Sequence, residues 1–243
     1  MTTGVRRRMG VEERRQQLIG VALDLFSHRS PEEVSIDEIA VAAGISRPLV
    51  YHYFPGKLSL YEAALTRAAE DLAARFREPC EGALGDRLLR MMGRFFDFVD
   101  EHGPGFAALM RGGPAVPTGG GGVPVPAASA TNGLVDSVRQ TAYERVLGHL
   151  GVPQPPPRLE LVVRSWISLV ESTALLWLDT RKIPRGELEL QLVHDFAALV
   201  AVSSAYDEEM ADILVRILAD EPSEGPFGDL VGRLVSLAPR AAA

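Results

Sequence analysis

The sequence predicts an all-α protein with a small N-terminal head and a larger helical body. Three observations carry that expectation. Apolar residues recur at steps of three and four along most of the chain, the mark of helices with one buried face. Near the N-terminus two such segments meet at a tight corner, with capping signals around it. Further on, stretches rich in glycine and proline divide the remainder into helix-sized lengths.

The opening MTTGVRRRMG is short, polar and basic. Arg6, Arg7 and Arg8 read either as a solvated, disordered tail over residues 1–10 or as an arm reaching a DNA minor groove or phosphates. Residues 11–28 form an amphipathic helix with Leu18, Ala22, Leu25 and Phe26 on one face, stopped by Ser30-Pro31. Next comes the stretch from Val34 to Lys57, VSIDEIAVAAGISRPLVYHYFPGK. Ser35 is placed to cap a short helix, and Glu38 three residues later completes a capping box. Ile36, Ile39, Ala40 and Ala43 give that helix one apolar face. Gly44 stands where a helix needs a left-handed residue to stop, and Ile45 plugs the corner. Ser46 offers a second cap, and Pro48 in the first turn lacks only an N–H that would have no intrahelical partner. Val50 and Phe54 point back to the first helix, leaving Arg47, Pro48, Tyr51 and His52 outward. Two capped helices around an Ala-Gly-Ile corner form a helix-turn-helix signature over residues 34–54. The head spans 11–57.

A connecting helix follows over 58–78. Its apolar positions are Leu58, Tyr61, Leu65, Ala68, Leu72 and Phe76, and Pro79 breaks it. The body, 79–238, is expected to be helical throughout. Leu84, Leu88, Met91, Phe95, Phe98 and His102 mark one helix, and Phe106 to Met110 a short one. Residues 112–133, GGPAVPTGGGGVPVPAASATNG, hold four consecutive glycines and four prolines and predict a flexible loop. No Gly-Lys-Ser/Thr accompanies those glycines, so they do not read as a phosphate cradle. A helix over 134–150 precedes the stiff GVPQPPP connection. Residues 158–180 are apolar nearly all round. In 187–204, Leu192, Phe196 and Leu199 make one apolar stripe, and Val193, Ala197 and Val200 a second. Two stripes need cover on both sides. A second subunit packing two helices against two supplies it, with Leu192, Val193, Phe196 and Val200 as interface candidates. Met210, Ile213, Leu214 and Ile217, then Phe227, Leu230, Val231 and Leu234, suggest two further helices.

Charge is uneven along the chain. The whole carries −7, but residues 1–60 hold eight Lys/Arg against seven Asp/Glu, and the rest 17 against 25. An acidic body with a non-acidic N-terminal segment suits a DNA-reading head on a domain that does not touch DNA. The single cysteine, Cys80, excludes an intramolecular disulfide and points to a reducing cytosol. The chain shows no signal peptide and no 18-residue apolar run, so no membrane partner is expected. The five histidines have no metal-ligand spacing, and no metal or cofactor is expected. Nor is there a nucleophile elbow, paired-carboxylate motif or dinucleotide fingerprint to support an enzyme.

The run DEIAVAAGISRPLVYHYFPGKLSLYEAAL resembles the tetracycline-repressor (TetR) family of bacterial transcription regulators almost position by position. The match includes Tyr51-His52-Tyr53-Phe54 and the lysine two residues after Pro55. It covers the head strongly and the body only in its helical layout. The resemblance implies a homodimer on a near-palindromic duplex, cytoplasmic and bound to the nucleoid with its DNA. It also implies the same helix pair as the dimer interface.

Within that reading Arg47 enters a major groove, where arginine pairs bidentately with guanine. Pro48 and Leu49 depart from the family's common small residues and leave the base sequence unreadable. Tyr51 and His52 offer phosphate contacts. Ser35, Ser46 and Lys57 lie at helix starts, where phosphates are attracted. The family further implies a cavity for a small apolar or aromatic inducer, with Met91, Phe95, Phe106, Met110, Tyr143, Trp166, Thr173 and Trp177 as lining candidates. Plain core packing accounts for the same residue types. Glu171, a charge within an apolar helix, reads as a ligand anchor or as the partner of Arg164 or Arg139. The resulting expectation is a repressor released from its operator by a small molecule. The alternatives are a constitutive or partner-controlled regulator and, further off, a helical small-molecule-binding protein or enzyme.

Overall fold

The computed structural model describes residues 10–77, 81–110 and 127–237. The Arg6–Arg8 arm, Pro79, Cys80 and residues 111–126 of the glycine- and proline-rich segment lie outside the described residues. Among the described residues all regular structure is helical, as the periodicity predicts. The chain divides into two compact units. One comprises residues 1–71 with 101–135, and the other 72–100 with 136–243.

The first unit is built on α1 (Val11–His28), α2 (Ile36–Ala43), α3 (Arg47–Tyr53) and most of α4 (Lys57–Arg75). Leu18, Ala22, Ile39, Val50 and Leu60 sit in its core with almost no exposure. Phe26 meets Tyr61 edge to face at 5.0 Å. The expected start of α4 is met, but its end comes at Arg75 rather than Glu78. This unit also takes in α6 (Gly103–Met110) and the beginning of α7 (Ala127–Leu150), both assigned to the body by sequence. α6 packs on α1. Gly105 makes the approach close: a Cβ there would lie 3.3 Å from the Phe26 carbonyl oxygen. Met110, Leu134 and Val135 join the same core.

The helical start of α7 at Ala127 corrects the expected loop over 112–133. The last proline is Pro126, and AASATN beyond it is free of glycine and proline. Three alanines there favour helix, at the cost of about 1 kcal/mol for Gly133 inside it.

The second unit holds α5 (Leu84–Glu101), the rest of α7, α8 (Pro157–Thr180), α9 (Arg185–Ser204), α10 (Glu208–Ala219) and α11 (Pro226–Leu237). Its core is aromatic. Trp166 packs on Phe196 at 5.2 Å and donates its indole N–H to the Leu192 carbonyl at 2.7 Å. Trp177 packs on Phe96 at 5.3 Å and donates to the Ile183 carbonyl at 2.9 Å. Arg185 ties the start of α9 to α5, reaching Asp97 at 2.7 Å, Asp100 at 3.0 Å and the Gly93 carbonyl at 2.6 Å. Glu171, 9% exposed, accepts from Arg139 Nε at 3.1 and 3.0 Å on its two oxygens and from Nη2 at 2.7 Å. That settles its partner as Arg139. Arg164 instead pairs with Glu160 and stacks on Tyr143 at 4.2 Å.

Two expectations about α8 and α9 change. Leu192, Val193, Phe196 and Val200 are fully buried within the subunit itself, because α9 packs on α8, α10 and α11. They are core, not a surface for a partner. And α8, expected to fall short of a membrane-spanning run, reaches a mean hydropathy of 1.4 over an 18-residue window. Only 33% of that window is buried in the subunit. Its uncovered face carries Leu161, Ser165, Ser168, Leu169, Ser172 and Leu176, with Leu161 at 65% and Leu176 at 68% exposure. Glu171, held by Arg139, sits on the covered side.

Candidate nucleic-acid interface

The corner between α2 and α3 is set by backbone conformation and one cap. Ser35 precedes α2 in an extended conformation. Its hydroxyl accepts the Glu38 backbone N–H at 3.2 Å, and the Glu38 carboxylate accepts the Ser35 N–H at 2.8 Å. The capping box read from the sequence is therefore formed. Arg29, just beyond α1, bonds the same carboxylate at 2.8 Å. The Arg29 guanidinium first, and the Ser35 N–H and hydroxyl after it, hold the Glu38 carboxyl down to about 2. Gly44 ends α2 in the left-handed region, φ 66° and ψ 33°, and its N–H closes on the carbonyls of Ala40 and Val41. Ser46 occupies the N-cap position of α3, but its side chain makes no capping bond.

α3 is thereby held with Val50 and Phe54 in the core, and Ser46, Arg47, Pro48, Leu49, Tyr51 and His52 exposed. These are six of the eight residues expected to meet DNA, and Ser35 before α2 is exposed as well. Arg47 bonds Asp37 of α2 at 3.0 Å and stands 5.7 Å from the centre of the Tyr51 ring. Its pKa is raised first by the Tyr51 hydroxyl and then by Asp37, so it stays cationic. His52 lies edge to face with Tyr53 at 5.3 Å. Lys57 has a different role from the expected one. Its ammonium donates to the carbonyls of Pro31 at 2.8 Å and Val34 at 3.2 Å, clamping the loop that leads into α2. Val41, 81% exposed on α2, was not among the expected contact residues. Its apolar exposure beside the corner has no helical-period signal to announce it.

Such an exposed helix, with an arginine in its first turn and aromatic, hydroxyl and imidazole groups along it, can enter a major groove and touch the flanking phosphates. Residues 18–64 match the family described as bacterial regulatory proteins, tetR family, and residues 84–199 match the tetracyclin repressor-like C-terminal domain. A solved tetR-family transcriptional regulator from Streptomyces coelicolor is 74% identical to this chain. It superimposes with a TM-score of 0.87, covering 96% of this chain and 100% of that one.

This chain belongs to the TetR family. TetR-family proteins are DNA-binding transcriptional regulators rather than enzymes, and the helix-turn-helix of this chain is the family's reading head. Similar too are two curated relatives. The transcriptional activator FasR of Mycolicibacterium smegmatis is 33% identical over 106 residues, 43% of this chain and 48% of that protein. The transcriptional repressor KstR2 of Rhodococcus jostii is 33% identical over 78 residues, 32% of this chain and 38% of that protein. The chain thus spans half or less of the curated relatives it matches.

In this TetR-family chain the expected inducer-lining residues are divided between the two units. Met91, Phe95, Tyr143, Trp166 and Trp177 are buried in the second unit, with Thr173 half-buried there. Phe106 and Met110 belong to the first unit, Met110 packed on the head core. Both indoles already have backbone partners. One cavity in the second unit, of about 450 Å³, is lined by other residues: Arg87, His149, Arg216 and Asp220 around Leu84 and Ile213. Sequence reading missed it because its polar lining comes from helix ends far apart in the chain.

Proposed function

We propose that this TetR-family chain is a homodimeric repressor that reads a near-palindromic duplex and is released from it by a small molecule. The observation that carries the reading is the exposed α3 face with Arg47, Tyr51 and His52, fixed outward by the left-handed Gly44 corner. Two such heads related by a two-fold axis would meet half-sites about 34–36 Å apart on one face of the duplex. The uncovered face of α8, with Leu161, Leu169 and Leu176, and Ala198 and Val202 on α9 support the dimer. A face that apolar is rarely left to water. Its site of action would be the bacterial nucleoid. Among the relatives FasR is an activator and KstR2 a repressor.

Release by a ligand requires that the ligand bind more tightly to the form that has let go of DNA. A specific observation favours a second reading, a regulator with no small-molecule inducer. Trp166 and Trp177, both expected to line an inducer pocket, pack on Phe196 and Phe96 and donate their N–H groups to backbone carbonyls. Selection of bound duplexes from a random pool identifies the operator. Challenge of the complex with hydrophobic acids, aromatic compounds and their thioesters then separates the readings. Release by one class, saturable and reversible, supports the induced repressor. A complex that survives every class supports the second reading.

A further inference from the structure

We propose that Asp71, Glu101 and His102 form a binding site for a divalent transition-metal cation such as Zn²⁺ within the DNA-reading unit. Asp71 lies on α4, Glu101 ends α5, and His102 stands between α5 and α6. All three belong to the first unit. One ligand atom from each lies within 4.8 Å of the other two.

Ser27 fixes which nitrogen of the imidazole can coordinate. It is buried at the end of α1, 3% exposed, and its hydroxyl bonds the Leu23 carbonyl oxygen at 2.8 Å. A carbonyl only accepts, so the single hydroxyl proton is committed there. The 2.6 Å contact between Ser27 Oγ and His102 Nδ1 is then an Nδ1–H donating to Oγ. The coordinating atom is left as Nε2, which lies 4.0 Å from the Glu101 carboxylate. Metal-bound histidines are oriented in this manner, by donating their other ring N–H to a fixed acceptor.

The donor set selects the cation. Two carboxylates and a neutral imidazole balance a charge of 2+, and imidazole favours zinc, nickel, cobalt or copper over magnesium and calcium. With bonds of about 2.1 Å, neighbouring ligands of a tetrahedral zinc ion stand about 3.4 Å apart. Closing the site takes roughly 1 Å of movement on that geometry, shared among the Asp71, Glu101 and His102 side chains, none of which is fully buried. Water completes the shell. A proton on Nε2 competes with the cation and leaves when it binds. Once bound, the ion links α4 to the entry of α6, and α6 packs on α1, which packs on α2. The reading head would be stiffened by it. Spacing along the sequence hides the site, since Asp71 is far from the adjacent Glu101-His102 pair and no metal motif has that interval.

The test is a titration of the untagged, chelator-stripped full-length chain with ZnCl₂ by calorimetry, with CoCl₂ absorption as the geometric readout. The expected result is one ion per chain and cobalt bands of a nitrogen–oxygen site. Affinity should fall at least tenfold in His102→Gln and in Glu101→Gln. Ser27→Ala should weaken binding tenfold or more while its far-ultraviolet circular dichroism stays unchanged. Glu101 is exposed, so its variant folds whatever the fate of the others. Failure of the wild type to bind stoichiometrically overturns the proposal. So does binding that Glu101→Gln and His102→Gln both retain. Metal stoichiometry is read without DNA, so neither result depends on the regulator reading.

Discussion

Arg47 is parked rather than idle. Its pair with Asp37 is more than half exposed on both sides, and such pairs contribute at most about 1 kcal/mol. A bidentate contact to guanine supplies ~1–3 kcal/mol of discrimination, enough to draw the side chain off Asp37. Arg47→Ala is therefore expected to weaken specific binding by roughly 10- to 100-fold while leaving the protein folded, measurable by fluorescence anisotropy on the selected operator. Glu38 carries a second expectation. Its carboxyl is held at about 2 in the folded chain, well below the ordinary glutamate range. A depressed carboxyl stabilises the fold fully above its unfolded value and loses that contribution as pH falls through the folded one. Carbon-detected titration of Glu38 should show it ionised at pH 3, when most carboxylates have begun to protonate. Tyr61 supplies a third. Its hydroxyl is buried with no hydrogen-bond partner, and burial pushes it up to about 12. Tyr61→Phe removes that desolvated group and keeps the ring against Phe26, so stability should rise by about 1 kcal/mol, read in urea unfolding. At this scale the outward face of α3 was legible in the sequence, because the apolar positions Val50 and Phe54 fix which side is left over. The role of Lys57 was not. Its partners are carbonyls of Pro31 and Val34, and no side-chain pattern announces a backbone acceptor.

Helices α1 and α2 follow their capping and breaking signals closely, and Gly44 illustrates why. Its left-handed φ is a backbone requirement that glycine alone meets without strain, so the residue reveals the turn. No heavy atom would lie within 4 Å of an added Cβ there. The cost of Gly44→Ala is then purely conformational, about 1–2 kcal/mol. That corresponds to a melting temperature lower by roughly 2–4 °C per kcal/mol for a chain of this size. Differential scanning calorimetry checks it. Other boundaries were less legible. α7 begins seven residues before its expected start because prolines end at Pro126, and a glycine inside a helix was taken for a helix boundary. α6, placed in the body by sequence and lying inside the matched C-terminal domain, packs on α1, because periodicity fixes a helix but not what the helix packs on. Gly105 lets it come close to the Phe26 carbonyl.

For the whole molecule, the sequence correctly implied that α8 and α9 are more apolar than one subunit can cover, but it chose the wrong face. The stripes of α9 are satisfied internally by α8, α10 and α11, the last two beyond the matched C-terminal family domain. The surplus sits on α8, where leucines alternate with serines at helical spacing and Leu161 and Leu176 stand mostly in solvent. A hydrophobicity pattern cannot tell which stripe a later helix will cover. The central claim is that two copies of this chain, joined through that face, present two α3 helices to one duplex. Sedimentation-equilibrium mass of the complex with the selected operator tests it most directly, using wild type and the Leu161→Arg, Leu176→Arg double variant. Two chains per duplex for the wild type, and a folded single chain with operator affinity reduced at least 100-fold for the variant, are the predicted results. A wild-type complex of one chain per duplex, or a variant that still binds as a pair with unchanged affinity, would contradict the account.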